Sequence, residues 1–376
     1  MDEYPPCFLS GLCFLVSLMV KIQEREFNNI LIIKPSAAGD IICALPILAG
    51  LRRRYPGARI SWMVAKHLQD LLMGHPMIDE VIPFDRKRFG YLGLSWVVTR
   101  RFLKFLKSLR SAKYDLVVDL QGLFRSGFFS WASGAKVRIG PGEKREMGWI
   151  FYTHRMPARD RNTHIVDRIG AVGELLKIDF SEPEFPIYIH EDARRRVGEL
   201  LAEQNVEADE FVAIAPGGTW SSKRWAVENF AELAGKIVTE LGRRVVLIGG
   251  RGEMKLADVI VEKNAGKGVV NFTGLTTLPE LLAVIEKAGA VVCNDSGPMH
   301  MAAAMGKCVT AIIGPTNAKR TGPYRKEEGV VKTGLACSPC YKKICSKVEK
   351  EGTAACLAAV DVEEVFENLR RQMGEK

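Results

Sequence analysis

The chain predicts an α/β protein built from two Rossmann-like domains facing a central cleft. Three observations carry that prediction. Short apolar runs alternate with amphipathic helical patterns along most of the 376 residues, the mark of parallel sheets covered on both faces. Several of those runs stop at a small-residue turn that leads straight into a helix: Ser36-Ala37-Ala38-Gly39-Asp40, Pro216-Gly217-Gly218-Thr219 and Asn294-Asp295-Ser296-Gly297-Pro298. The length also exceeds what one core usually serves, and Glu182-Pro183-Glu184-Phe185-Pro186 reads as a linker.

The elements follow in order. Ile30–Lys34, Arg59–Val64, Glu80–Pro83, Asp115–Asp119 and Val137–Ile139 read as strands. Helices fall at Ile41–Tyr55 and Trp96–Leu109, with another opening at Gln121–Ser126. After the linker a new strand starts a second series, with strands Phe211–Ala215, Arg244–Ile248, Val269–Asn271, Ala290–Cys293 and Cys308–Ile313. Its helices are Val227–Leu241, Glu253–Asn264, Leu278–Lys287 and Val362–Met373. The domains then span 28–182 and 187–360, and the segment 361–376 is a C-terminal helix expected to pack back on the N-terminal domain.

Composition is that of a soluble globular protein, 47% hydrophobic and 26% charged. A net charge of +9 fits a phosphorylated substrate, an anionic membrane surface or nucleic acid. Nucleic acid ranks last, because no RNA-binding signature or long Lys/Arg tract is present. Phe8–Val20 is apolar but only 13 residues long, short for a bilayer span. It lacks the basic flank and cleavage site of a secretory signal. It reads as a membrane-surface anchor or as untranslated sequence ahead of a start at Met19, and the second reading is favoured.

Cys7, Cys13, Cys43, Cys293 and Cys308 sit in apolar surroundings and read as buried hydrophobes. Cys337, Cys340, Cys345 and Cys356 form a C-x2-C-x4-C-x10-C cluster. That spacing suits a structural zinc or iron–sulfur site and equally a loop of free thiols.

The turns carry the chemistry. Free backbone N–H groups and the positive end of a helix at a sheet's carboxyl edge suit a phosphate or diphosphate. Asp40 fits two roles there, helix N-cap or general base. Ala215–Trp225, APGGTWSSKRW, has the composition of a phosphate cradle, with Thr219 and Ser221 hydroxyls and the Lys223 cation. Its spacing is not that of a Walker A loop. Glu253, after the glycine turn Ile248–Glu253, reads as a ribose-binding acid or a surface acid in a first helical turn. Asp295, Ser296, Gly297 and His300 form another such turn, with His300 a phosphate or ribose contact at most. Arg52, Arg53, Arg54, Arg100, Arg101, Lys104 and Lys107 give the first half a basic face, either solvated or turned toward acidic lipid or a phosphorylated ligand.

Taken together, KPSAAGDIICALP (34–46), DLQGLFRSG (119–127), APGGTWSSKRW (215–225), NDSGPMHMAAAMG (294–306) and GPTNAKRTGPY (314–324) resemble glycosyltransferase family 9, the bacterial heptosyltransferases. His164-Ile165-Val166-Asp167-Arg168 matches a further family segment. The resemblance implies the GT-B fold and an inverting transfer without a catalytic metal or other required cofactor. The donor would be an ADP-heptose held by the C-terminal domain. The acceptor would be the lipopolysaccharide inner core, either lipid A–Kdo or a heptosylated core, met by the N-terminal domain. It places the enzyme in the cytoplasm, peripheral at the inner face of the inner membrane.

By position, Asp40 takes the place of the family's base, and Thr219 and Lys223 match phosphate contacts. Glu253 matches the ribose acid, and Asp295 and Gly297 the donor turn. Arg125, His164 and Arg168 are candidate acceptor contacts. Two departures bear on the exact donor and acceptor. Gly218-Thr219-Trp220 has one Thr where some members have two, and Ala37-Ala38 stands where hydroxyl residues are frequent. The alternatives are a family relative with another donor or acceptor and a noncatalytic sugar-nucleotide-binding protein. A nucleotide-linked oxidoreductase would need G-x-G-x-x-G directly after a strand, and neither domain opens with one.

Overall fold

The computed structural model describes residues 22–374, except 87, 89–92, 144 and 349–351. The apolar stretch 8–20 and Met19 lie outside the described residues. The chain divides into two units. The first comprises Met1–Ser36, Ala44–Asp160 and Val166–Pro186; the second comprises Ala37–Cys43, Arg161–Ile165 and Ile187–Lys376.

The first unit holds a parallel six-stranded sheet in the order β3-β2-β1-β4-β5-β6. Its strands are β1 (Asn29–Ile33), β2 (Arg59–Ala65), β3 (Glu80–Phe84), β4 (Leu116–Asp119), β5 (Val137–Pro141) and β6 (His154–Met156). In β1, Ile30, Leu31, Ile32 and Ile33 are all fully buried. A parallel strand covered on both faces needs such an unbroken apolar run. Ile30 pairs with Ile60 on one side and Leu116 on the other. Helices Trp96–Ser111 and Phe124–Ala132 cover one face through an aromatic cluster. Phe84 and Phe129 lie 5.0 Å apart edge to face, and Phe105 and Phe129 5.6 Å. Each such buried ring is worth roughly 1.5–3 kcal/mol over exposure.

The second unit repeats the pattern, in the order β12-β11-β10-β7-β8-β9. Its strands are β7 (Phe211–Ala215), β8 (Arg244–Leu247), β9 (Val269–Asn271), β10 (Ala290–Asn294), β11 (Cys308–Ile312) and β12 (Val330–Val331). Each sheet thus has the Rossmann order, and each reverses direction between its first and fourth strands. Ligands bind outside the carboxyl ends of the strands at that reversal. The reversal falls between β1 and β4 in one sheet and between β7 and β10 in the other.

Several elements differ from expectation. Helix Val362–Met373 is part of the second unit's core. Its stripe Val362, Val365, Phe366 and Leu369 is buried in that core, and Asn368 Oδ1 accepts from the Thr310 hydroxyl of β11 at 3.1 Å. Asp361 caps the helix by accepting from Glu363 N–H, and Gly374 ends it at φ 71°. No strand follows the linker: Ile187–His190 is irregular and runs into helix Glu191–Glu203. The short strands β6 and β12 were not expected. The helix after β4 begins at Phe124, not Gln121, because the Asp119 carboxylate takes the N–H groups of Gln121 and Gly122 and turns the chain. Among the described residues no helix is long and apolar enough to cross a membrane.

Candidate functional site

In the second unit the site begins with Asn294, fully buried at the end of β10. Its amide donates to the carbonyls of Pro216 (2.8 Å) and Gly217 (3.0 Å), and its Oδ1 accepts from Trp225 N–H at 3.0 Å. One side chain therefore ties the β7 turn to the β10 turn at the reversal point. The next residue, Asp295, is buried. Lys223 Nζ lies 2.6 Å from its carboxylate, and the Thr316 hydroxyl donates to the same oxygen. The Lys223 ammonium also sits 4.9 Å from the centre of the Trp220 ring. The cation expected for a phosphate is thus held at the sheet edge by a carboxylate and an aromatic face.

Helix Gly297–Ala304 starts at Ser296, whose buried hydroxyl has no hydrogen-bond partner among the described residues. One turn on, His300 Nδ1 lies 3.4 Å from Cys43 Sγ. A Cβ on Gly39 would fall 2.5 Å from the His300 ring, so glycine at 39 is what admits the imidazole. Burial pushes the His300 pKa below its ordinary 6.5; the negative charges of Asp295 and Asp40 oppose this, and His164 and Lys223 add to it. His300 is the point where Asp40, Asp295, Lys223 and His164 are electrostatically joined. Asp40 is the third residue of helix Ala38–Arg54, not its N-cap; its carboxylate accepts from Ala37 N–H at 3.1 Å. That bond is half of a capping box.

Glu253 is placed by glycine. Its carboxylate accepts from Gly250 N–H at 2.8 Å. A Cβ on Gly217 would lie 1.6 Å from Glu253 Oε1, and one on Gly249 2.6 Å from Oε2. Only backbone without side chains at both turns leaves room for the acid. Thr219 and Ser221 are exposed on the same turn. The Ser222 hydroxyl donates to Lys342 O at 2.7 Å and seats the cysteine-rich loop there.

In the first unit a cavity of about 770 Å³ opens at the β1/β4 reversal. Ser36, Lys66, Arg86, Gln121 and Arg125 are among its lining. Burial and the neighbouring Arg86 charge lower the Arg125 pKa. Behind the wall, Asp119 is fully buried, accepting from Gln121 N–H, Gly122 N–H and the Tyr152 hydroxyl (2.7 Å). Burial holds its carboxyl above the usual range against those bonds.

The three expected acceptor contacts, Arg125, His164 and Arg168, have different surroundings. Arg125 lines the cavity. Arg168, itself largely buried, is engaged by the exposed carboxylate of Glu143, because a guanidinium out of water requires a partner. His164 groups with the second unit, its Nε2 3.0 Å from Gly322 O and its ring 4.9 Å from Tyr324.

Cys337, Cys340, Cys345 and Cys356 are free thiols, from exposed to buried. Burial raises the Cys356 pKa, and the other three thiols add to it. Among the described residues no group of three or more His, Cys, Asp or Glu is placed to hold a metal ion.

Asn294, Thr316 and Asp119 were missed as site residues. Asn294 and Asp119 each carried one available signal: a polar side chain that closes an apolar run at the carboxyl end of a strand.

The sequence model of glycosyltransferase family 9 (heptosyltransferase) matches residues 102–350. The chain is 30% identical to the lipopolysaccharide core heptosyltransferase OpsX of Haemophilus influenzae over 311 residues, 81% of this chain and 84% of that one. Among solved structures it is similar to a family 9 glycosyl transferase from Veillonella parvula (TM-score 0.77, 24% identity, 93% of this chain and 98% of that one). It is also similar to the E. coli heptosyltransferase WaaC with ADP-2-deoxy-2-fluoro heptose (TM-score 0.70, 21% identity, 91% and 99%). With these it shares the GT-B architecture.

Proposed function

The chain belongs to glycosyltransferase family 9, and from that premise we propose that it transfers a heptose from ADP-heptose to the inner core of lipopolysaccharide with inversion at the anomeric carbon. The observation that carries the reading is that Gly39, next to Asp40, packs on the His300 ring on the helix that follows Asp295, the residue that holds Lys223. A proton acceptor and a cation held near one imidazole are what a displacement needs at its two ends.

Asp40 takes the proton of the acceptor hydroxyl as its oxygen attacks the anomeric carbon. The bond from that carbon to the diphosphate breaks, and ADP leaves with the electron pair. Lys223 and the N–H groups at the start of helix Gly297–Ala304 meet the charge that grows on the departing oxygen. Asp295 keeps Lys223 aimed while the site is empty. Thr219 and Ser221 supply hydroxyls to the diphosphate, and Glu253 accepts from the ribose. The second unit is then the donor side. The first unit binds the acceptor, with Arg125, Arg86 and Lys66 offering charge to the anionic groups of a phosphorylated sugar core. A lipid-borne acceptor puts the reaction at the cytoplasmic face of the inner membrane.

The test is direct. The protein is incubated with ADP-heptose and Kdo-bearing lipid A, or a heptosylated core, and ADP release and the product anomer are measured. Inverted product with stoichiometric ADP is expected. Thermal shifts should favour ADP-sugars over UDP- and GDP-sugars. A larger shift with a UDP-sugar, or transfer from another ADP-sugar alone, overturns the donor assignment.

A further inference from the structure

Helix Trp96–Ser111 has two faces. The inner one, Phe102, Phe105, Leu106 and Leu109, packs on the first unit's core. The outer one is unusual for a surface helix. Arg100, Arg101, Lys104 and Lys107 are exposed on it, and no acid occurs from Gly93 to Tyr114. Large apolar side chains stand among those cations: Leu94 is 86% exposed, Trp96 76% and Leu103 55%. Trp131, from the neighbouring helix Phe124–Ala132, is 54% exposed and lies beside Lys107 and Arg110. Scattered apolar residues on a surface need no explanation, whereas a patch of them ringed by one sign of charge does.

The patch also has a meaningful position. Phe105, on the inner face, touches Phe84 (5.8 Å) and Phe129 (5.6 Å). Both of those rings line the 770 Å³ cavity that carries Arg125. One helix thus separates the basic apolar surface from the pocket assigned to the acceptor.

We propose that the outer face of helix Trp96–Ser111, with Leu94 and Trp131, docks on an anionic lipid bilayer and so presents the adjacent cavity to a lipid-borne acceptor. The proposal rests on the transferase reading above. Aromatic and aliphatic side chains seat at the headgroup level, and the Lys/Arg set is drawn by the negative surface potential of acidic lipids. A nucleic acid would use the cations and leave Leu94, Trp96 and Leu103 in water.

The full chain is sedimented with vesicles of phosphatidylcholine alone and of phosphatidylcholine mixed with phosphatidylglycerol. Wild type should partition roughly tenfold or more in favour of the anionic vesicles, an advantage that fades with salt. R100Q/R101Q/K104Q/K107Q should lose that advantage. W96S/L103S should bind several-fold less tightly at unchanged charge. Both variants should melt as wild type does and transfer to an acyl-free, water-soluble acceptor at the wild-type rate. Vesicle binding by the quadruple variant equal to wild type overturns the proposal, as does equal binding of wild type to both vesicles or tighter binding to duplex DNA. Failure of wild type to act on the soluble acceptor, with vesicle binding intact, sinks the transferase reading and leaves the surface standing.

Discussion

The two sheets have the same strand order, yet their carboxyl edges are built oppositely. At the β7/β10 edge, side chains bind the turns to one another: Asn294 stitches two turns, Glu253 presses on glycines at 217 and 249, and Lys223 is locked to Asp295. At the β1/β4 edge there is room, about 770 Å³ of it, bordered by Arg86 and Arg125. The buried carboxylate there, Asp119, is turned inward to Tyr152. A tight edge with polar groups set in advance suits a ligand of fixed shape such as a nucleotide. A roomy basic edge suits a larger, more variable anion. The same fold thus serves two binding tasks through what its turns carry.

The largest test of this contrast is Asp40→Asn. Transfer should fall roughly a hundred- to ten-thousand-fold, the usual yield of a general base, while ADP affinity measured by calorimetry stays put. Turnover near wild type would remove Asp40 from the mechanism. Next comes a pair that should separate the two edges. Gly217→Ala drives a methyl into Glu253 and should weaken ADP binding roughly tenfold or more, the worth of a charged hydrogen bond. Adding Glu253→Ala to it should make matters no worse than Glu253→Ala alone. Arg125→Ala should raise the acceptor KM by a similar factor and leave ADP binding alone. If both variants move the same constant, the division of labour is wrong.

Stability supplies a smaller effect. Asn294→Ala strands the Trp225 N–H and two carbonyls in a buried place and should cost roughly 2–4 kcal/mol in denaturant unfolding. Tyr152→Phe removes one donor from a buried carboxylate and should cost about 1–2 kcal/mol. The reverse ranking would show that the roomy edge, not the tight one, is the more firmly braced.

Much of this was legible in the chain. The strands were readable because parallel strands are unbroken apolar runs, as in Ile30–Ile33 and Ala290–Cys293, and the glycine turns marked where each run meets its helix. What escaped depended on distances across sequence. Nothing local says that Gly39 makes room for His300, 261 positions on, or that Gly217 makes room for Glu253. The ion pair of Arg168 with Glu143 likewise exists only once the chain is folded. The C-terminal helix was legible as a helix, whereas the packing of Val365, Phe366 and Leu369 into the second unit's core is tertiary and periodicity does not specify it.

The smallest expected effect is on pH dependence, and it probes the same electrostatic meeting point. Burial lowers the His300 pKa in the folded chain below the 6.5 of the unfolded one. Between those two values the unfolded chain binds the proton and the folded chain does not. Stability from this group is therefore fully present above 6.5 and is lost as pH falls through the lower folded value. Denaturant unfolding from pH 8 to pH 5 should show that loss in wild type and a flatter profile in His300→Gln. Asp40 opposes the lowering, so Asp40→Asn should push the folded pKa lower still. The loss then extends to more acidic pH in that variant. An unchanged profile in Asp40→Asn would mean that the carboxylate and the imidazole do not sense one another, and the site would lose the coupling that joins its proton acceptor to its cation.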